Sequence, residues 1–329
     1  MTRRLRRAVT AALALALAVA VAPFASTSAA VSAGTTYVAI TGSGSTWSQN
    51  ALDQWRKNVS TAYGMTVNYT GNGSTAGRTD FINGSVDFAI SEIPFQARPQ
   101  DGSAPERPSR AYAYMPIVAG GTSFMYNLKI GGKRVTNLRL SGDVITKIFL
   151  GQITRWNDKA ITADNPALAM PDKAITPIVR SDGSGTSAQF TLWMSKQYSS
   201  LWKTGMTSQF PTPRNGKAQA GSLGVAGYVS QTYGEGAIGY VEYSYALKSG
   251  FPVAKVLNRA GYYIEPTADS VAVALLKAQI NTDPNSPDYL TQILDGVYNN
   301  DDRRTYPLSS YSYMIVPTKA EGIFTEKKG

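Results

Sequence analysis

Apolar residues along this chain form short runs separated by Gly-, Ser- and Asn-rich turns, and the period of the runs changes from strand-like to helix-like and back. Tyr37-Val38-Ala39-Ile40 predicts a strand, followed by the turn Gly42-Ser43-Gly44-Ser45-Thr46. Trp47, Ala51, Leu52, Trp55, Val59, Ala62 and Tyr63 then recur at helical spacing and predict an amphipathic helix over 46–62. Met65 to Tyr69 predicts a second strand, with Gly71-Asn72-Gly73-Ser74-Thr75 after it and a short helix carrying Phe81 and Ile82. Val86 to Ile90 predicts a buried strand ending at Ser91-Glu92. Residues 97–110, rich in Pro, Arg, Ser and Gly, predict an exposed loop.

Two extended stretches follow, Ala113–Ala119 and Thr122–Leu128. Ser141 to Leu150 predicts a helix with Ser141 as N-cap and Asp143 in its first turn. Ile175–Arg180 predicts a strand, and it enters a third turn of the same kind, Asp182-Gly183-Ser184-Gly185-Thr186, before another helix. Gly234–Tyr245 predicts a strand and crossover, Ser270–Ile280 a helix and Tyr311–Pro317 a late strand. Strands alternating with helices in this order predict an α/β fold with a mostly parallel sheet.

The three Gly-Ser turns carry the candidate chemistry. A helix start leaves backbone N–H groups without partners and a partial positive charge. Glycines let that backbone approach a ligand, and Ser or Thr hydroxyls add donors. One such turn is an ordinary cap; three in one chain point to a cage of donors around a small anion. Arg180, at the end of a strand beside the third turn, can offer two parallel hydrogen bonds to an oxyanion. Asp182 either holds Arg180 in place or caps the helix.

Composition narrows the classes of function. The chain has 329 residues, 43% hydrophobic and 16% charged, so a globular core is expected. Arg3, Arg4, Arg6 and Arg7, an apolar run to about Ala22 and Ser28-Ala29-Ala30 predict a secretory signal peptide over 1–30, with an uncleaved anchor as the alternative. Without it, 28 basic and 22 acidic residues remain, a charge of +6 rather than +10. That mild excess, with no Lys/Arg stripe among aromatics, argues against nucleic acid as a partner. The chain has no Cys and no His. Disulfides, lipid attachment at a Cys, a Ser-His-Asp triad and a His-bearing zinc site are therefore excluded. No catalytic residue, metal or cofactor is expected. Ser45 or Ser184 as a nucleophile would lack an evident base.

Six segments together resemble the phosphate-binding proteins of ABC-type phosphate importers, the PstS family: TGSGSTW (41–47), NYTGNGSTAG (68–77), VDFAISEIPF (86–95), IFLGQITRWND (148–158), NPALAMPDKAITPIVRSDGSGTS (165–187) and GAIGYVEYSYA (236–246). They keep the family's order. The resemblance implies a two-lobed type II periplasmic-binding-protein fold, each lobe a mixed sheet flanked by helices and joined by two crossover strands. Lobe I is expected over 31–120 plus 240–329, and lobe II over 121–239. It implies Thr46, the backbone of Trp47, and Ser74 as donors from the first lobe. Arg180, Ser184, Gly185 and Thr186 are the implied donors from the second, with Asp182 positioning the arginine. Trp47 stands where the family usually has Phe.

Glu92 stands where the family usually has Asp. A carboxylate there accepts a hydrogen bond from protonated phosphate and repels sulfate, and Glu reaches one methylene further. Arg78 is read as a solvated helix residue, with pairing to Glu92 as the alternative. The resemblance also implies a helix and a final segment after the YSYMIVP strand; the sequence given stops at Gly329, as a fragment or as a naturally short version. The expected protein is an exported monomer that captures inorganic phosphate for the membrane permease of an ABC importer. A receptor for another oxyanion, or a surface protein that kept the fold without transport, are the alternatives.

Overall fold

The computed structural model describes residues 37–326 and Lys328; the predicted signal segment lies outside the described residues. Eight strands form one sheet: β1 (Ile40–Gly44), β2 (Val67–Thr70), β3 (Phe88–Ser91), β4 (Tyr112–Tyr126), β5 (Thr176–Arg180), β6 (Lys217–Gln219), β7 (Ala237–Glu242) and β8 (Ser309–Pro317). Their order is β2-β1-β3-β8-β4-β7-β5-β6. The two ends of the sheet are parallel: β1 with β2 and β3, and β5 with β6 and β7. The middle is antiparallel, β8 pairing with β3 and β4, and β4 with β7. The sheet is thus mixed rather than mostly parallel.

The two extended stretches expected around residues 113–128 are one strand. β4 pairs with β8 up to Gly121 and with β7 from Thr122 onward, so a single strand changes partner without stopping.

Helices flank the sheet, among them α1 (Gln49–Tyr63), α2 (Ser74–Ile82), α3 (Gly142–Phe149), α4 (Gly185–Gln197), α5 (Gly221–Ser230), α6 (Tyr243–Ser249) and α7 (Ala268–Leu275). Gly64, at φ 68, ends α1 in the left-handed conformation, its N–H turned back to Ser60 O. The apolar stripe predicted for α1 is only partly covered. Leu52 is buried, whereas Trp55 and Tyr63 are exposed, because the helix lies at the sheet edge against β2. The largest apolar cluster lies between α3, α4, β4 and β7, where Phe124, Phe149, Phe190 and Tyr240 meet ring to ring.

Three boundaries differ from the sequence reading for local reasons. The first strand is displaced to Ile40–Gly44, so Gly42 and Gly44 are strand residues and not a helix start. A side chain at Gly42 would fall inside the Phe88 ring, and Gly44, at φ 132, lies against Ile90 O. The segment after Glu242 is helical, its first turn held by the Glu242 carboxylate, which accepts from Ser244 N at 2.9 Å. The helix expected to reach Ile280 stops at Leu275, and Gln279–Ile280 pairs with Gln292–Ile293. Ser141 is the N-cap residue of α3 by position, but its side chain makes no capping bond.

The approach of α2 to β1 depends on Gly77. A Cβ there would collide with the Gly44 Cα and sit 2.7 Å from Ser43 O, both backbone atoms. Gly77→Ala is expected to destabilise the fold by about 3 kcal/mol, the upper range for overpacking. Urea unfolding of the parent and the variant measures it.

Candidate functional site

The carboxyl ends of the two parallel strand groups meet, and the predicted site residues lie at that junction. Thr75 N donates to Gly183 O at 3.1 Å. Ser222 N, at the start of α5, donates to Thr46 Oγ1 at 3.0 Å. Gly73 approaches so near that a Cβ would stand 2.5 Å from Asp182 Oδ2 and 2.8 Å from Gly183 O.

Arg180 ends β5 and is 3% exposed. Its Nε donates to Asp182 Oδ1 at 2.7 Å, and Nη2 donates to Asp182 Oδ2. No described residue accepts from Nη1, so one edge of the guanidinium is braced and another is free. Asp182 therefore positions the arginine. It does not cap α4; it also accepts from Gly221 N at 2.9 Å and so ties α5 to the same point. Burial works against the charged form of Asp182, but the hydrogen bonds and charge of Arg180, with the Gly221 N–H, outweigh it and hold the pKa below the ordinary carboxylate range. Arg180 N donates to the Tyr240 hydroxyl at 3.1 Å, and burial pushes that phenol up to about 12, so it stays neutral.

α4 begins at Gly185, just after this pair in the chain. Ser184 is its N-cap and accepts from Ser187 N at 3.2 Å. The N–H groups of Gly185 and Thr186 have no intrahelical acceptor. Thr186 Oγ1 is buried with no hydrogen-bond partner among the described residues, an unusual state for a hydroxyl in a folded interior.

Glu92 follows β3 and is 1% exposed. It accepts from Ser45 Oγ and, at 3.0 Å, from Ser312 Oγ on Oε1, and from Ser74 Oγ at 2.7 Å on Oε2. A Cβ on Gly185 would collide with Oε2 and stand 2.6 Å from Ser74 Oγ, so Glu92, Ser74 and α4 meet at one point. Burial, and then the charge of Glu92, raise the nearby Tyr69 phenol well above its ordinary value. The Trp47 N–H donates to Ser45 Oγ at 3.0 Å, and the Trp47 ring lies against Gly120. A cavity of 410 Å³ is lined by Glu92, residues 93–98 and Gln189, among others.

Neither reading of Arg78 matches the structure. The side chain is buried and does not touch Glu92; Nε and Nη2 donate to Glu106 at 2.7 and 3.0 Å, and Nη1 to Ser91 Oγ at 2.9 Å. The loop that supplies Glu106 looked solvated in sequence but is anchored. Met206 N donates to Gln100 Oε1 at 2.8 Å, and Thr207 Oγ1 to Asp101 Oδ2 at 2.6 Å.

The sequence reading missed Ser312, Gly221 and Ser222 as parts of the site, and it held Ser45 as a donor of the first turn rather than as a partner of Glu92. Gly221-Ser222 repeats the Gly-Ser pair of the three turns in sequence, and here it opens a helix as it does at Gly73-Ser74 and Gly183-Ser184. Ser312 sits in a strand with no local signal.

A model of the PBP superfamily domain matches residues 27–326. The phosphate-binding protein PstS of Pasteurella multocida is 33% identical over 288 residues, 86% of this chain and 77% of that protein. That of Haemophilus influenzae is 31% identical, covering 88% of this chain and 81% of that protein. The chain belongs to the PstS family of the PBP superfamily. Solved structures carry the same fold at lower identity. The phosphate-binding protein of Stenotrophomonas maltophilia aligns at TM-score 0.62 and 18% identity over 85% of this chain and 79% of its own. An ABC-type phosphate transport receptor from Vibrio cholerae aligns at TM-score 0.51 and 18% identity over 86% and 89%. The fold is the type II periplasmic-binding-protein fold, and the PstS family is one of transport binding proteins rather than enzymes.

Two outcomes test the site's electrostatics. Arg78→Met leaves Glu106 charged and unpaired, and is expected to lower stability by about 3 kcal/mol, as for broken buried pairs, read from urea midpoints. The depressed pKa of Asp182 contributes stability that is present above the ordinary carboxylate pKa and lost as pH falls through the folded value. Between about pH 5 and pH 2, the parent should therefore lose stability more steeply than Asp182→Asn.

Proposed function

We propose that this protein captures inorganic phosphate at the junction of the two parallel strand groups and delivers it to the membrane permease of an ABC importer. The observation that carries the reading is a buried arginine braced on one edge by Asp182. Nη1 has no acceptor among the described residues, and the same segment runs on into a helix start whose Thr186 hydroxyl is buried with no partner among the described residues. Such a set of donors lacks an acceptor, and a tetrahedral oxyanion supplies several in a small volume. The names and extent of the PstS relatives support the same ligand.

In this reading Thr46, Arg180, Ser184, Gly185 and Thr186 surround the anion, Asp182 positions Arg180, and Glu92 receives a proton-bearing oxygen; the implied donors Trp47 N–H and Ser74 Oγ are instead given to Ser45 Oγ and to Glu92 and support the site from behind. Residues 31–120 with 240–329 act as one lobe and 121–239 as the other, parting to admit the ligand. The protein is exported through its first thirty residues, works as a monomer without a cofactor or metal, and performs no catalysis. The ordered bonds Thr75–Gly183 and Ser222–Thr46 across the junction are what closure would form.

Calorimetric titration of the purified protein with phosphate tests the reading. Arg180→Ala is expected to weaken phosphate binding by about 100-fold or more, in keeping with the cost of removing one member of a buried charge pair. Equal affinity in parent and variant would show that the site lies elsewhere.

A further inference from the structure

Glu92 is longer than the Asp that the family pattern implies, and the structure shows what accommodates the difference. Three hydroxyls from three elements donate to its carboxylate: Ser45 in the β1–α1 turn, Ser74 at the start of α2, and Ser312 in β8. No cation among the described residues touches it. Arg78 is committed to Glu106, and Arg180 to Asp182. The charge is therefore balanced by dipoles alone.

The direction of these bonds matters. The Trp47 N–H points into a lone pair of Ser45 Oγ, so the single proton of Ser45 is turned toward Glu92. Oε1 takes two donors, from Ser45 and Ser312, and is drawn away from Gly185, which lies against Oε2. Ser312 Oγ also lies 3.2 Å from Ser48 Oγ; with its one proton given to Glu92 it accepts there from Ser48, which ties it to the head of α1. Ser74 gives its proton to Oε2, so toward the junction both Oε2 and Ser74 Oγ present lone pairs. A ligand oxygen that carries a proton gains a bond there, and one that carries none meets only acceptors.

We propose that Ser45 and Ser312 are positioning residues that fix the Glu92 carboxylate as an acceptor and so set the preference for a proton-bearing oxyanion over one without a proton. The inference rests on the phosphate-binding reading above and adds two residues which that reading does not need.

The test measures dissociation constants for phosphate and for sulfate by calorimetry. It uses the parent, the Ser45→Ala/Ser312→Ala double variant, Glu92→Gln, and the combination of all three changes. The double variant is expected to lose about tenfold or more of the phosphate-over-sulfate ratio, as is Glu92→Gln. Adding the two serine changes to Glu92→Gln should leave the ratio within about twofold, because no charge remains to be placed. A double variant with the parent's ratio overturns the inference. So does an equal loss from the serine changes whether Glu92 is intact or already replaced, since the serines would then act structurally. If the double variant does not fold, Ser45→Ala and Ser312→Ala are read singly on the same scale, and each leaves two donors on Glu92. A parent that binds no phosphate defeats the functional reading and this inference together. A parent that binds it with a ratio insensitive to the serines defeats this inference alone.

Discussion

A carboxylate taken out of water must have its charge met by the protein, and Glu92 is met by hydroxyls from three separate elements. Each hydroxyl arrives from a different place in the chain: the turn after β1, the start of α2 and the middle of β8. The constraint is mutual. β3 presents the carboxylate only if those elements stand at the right distance, and they stay together because displacing one leaves a buried charge short of a donor. Gly185 extends the arrangement to α4, since only a residue without a side chain brings that helix start against Oε2. The rest of the site is built outward from this contact.

The sheet explains why such contacts are available at all. Ligands in open α/β sheets bind beyond the carboxyl ends of parallel strands. Here two parallel groups of three strands lie at opposite ends of one sheet, with antiparallel β8 and β4 between them. Their carboxyl ends converge, and the Gly-Ser turns of one group meet those of the other through Thr75–Gly183 and Ser222–Thr46. Because β4 passes from β8 to β7 without a break, the two groups share a continuous strand as well as the contacts at the junction.

The parts of this arrangement legible in sequence are those whose chemistry is local. A Gly-Ser pair before a helix, an arginine at a strand end and a carboxylate two residues later need no partner from elsewhere to be recognised, and Arg180, Asp182 and Ser184 stand where such reasoning puts them. What was not legible depends on distant partners. Ser312 looks like any polar position on a half-buried strand until β8 is laid beside β3. Arg78 looks solvated until the 97–110 loop folds back and supplies Glu106 from 28 residues away. The helical spacing of Trp55 and Tyr63 was real, but periodicity does not say whether a neighbour lies on that face, and at the sheet edge both stay exposed among the described residues. The shift of the first strand has a similar cause: the glycines that read as a turn are required by Phe88 and Ile90 across the pairing.

The electrostatics of the site favour dipoles over net charge. Arg180 and Asp182 cancel, and Glu92 leaves one net negative charge at the junction before any ligand enters. The mildly basic surface can steer an anion toward the protein, but its long-range field is screened within about 10 Å at ordinary salt. An oxyanion held here would therefore depend on Nη1 of Arg180, the N–H groups opening α4 and the Thr186 hydroxyl, none of which has an acceptor among the described residues. Donors fixed by a folded scaffold do not reorganise on binding, whereas water must, and that difference lets a site with a net negative charge hold an anion. The same fixed geometry makes a second acceptor costly. With Glu92 held by three hydroxyls, an oxygen bound beside it would either bring a proton or meet a charge that cannot move aside.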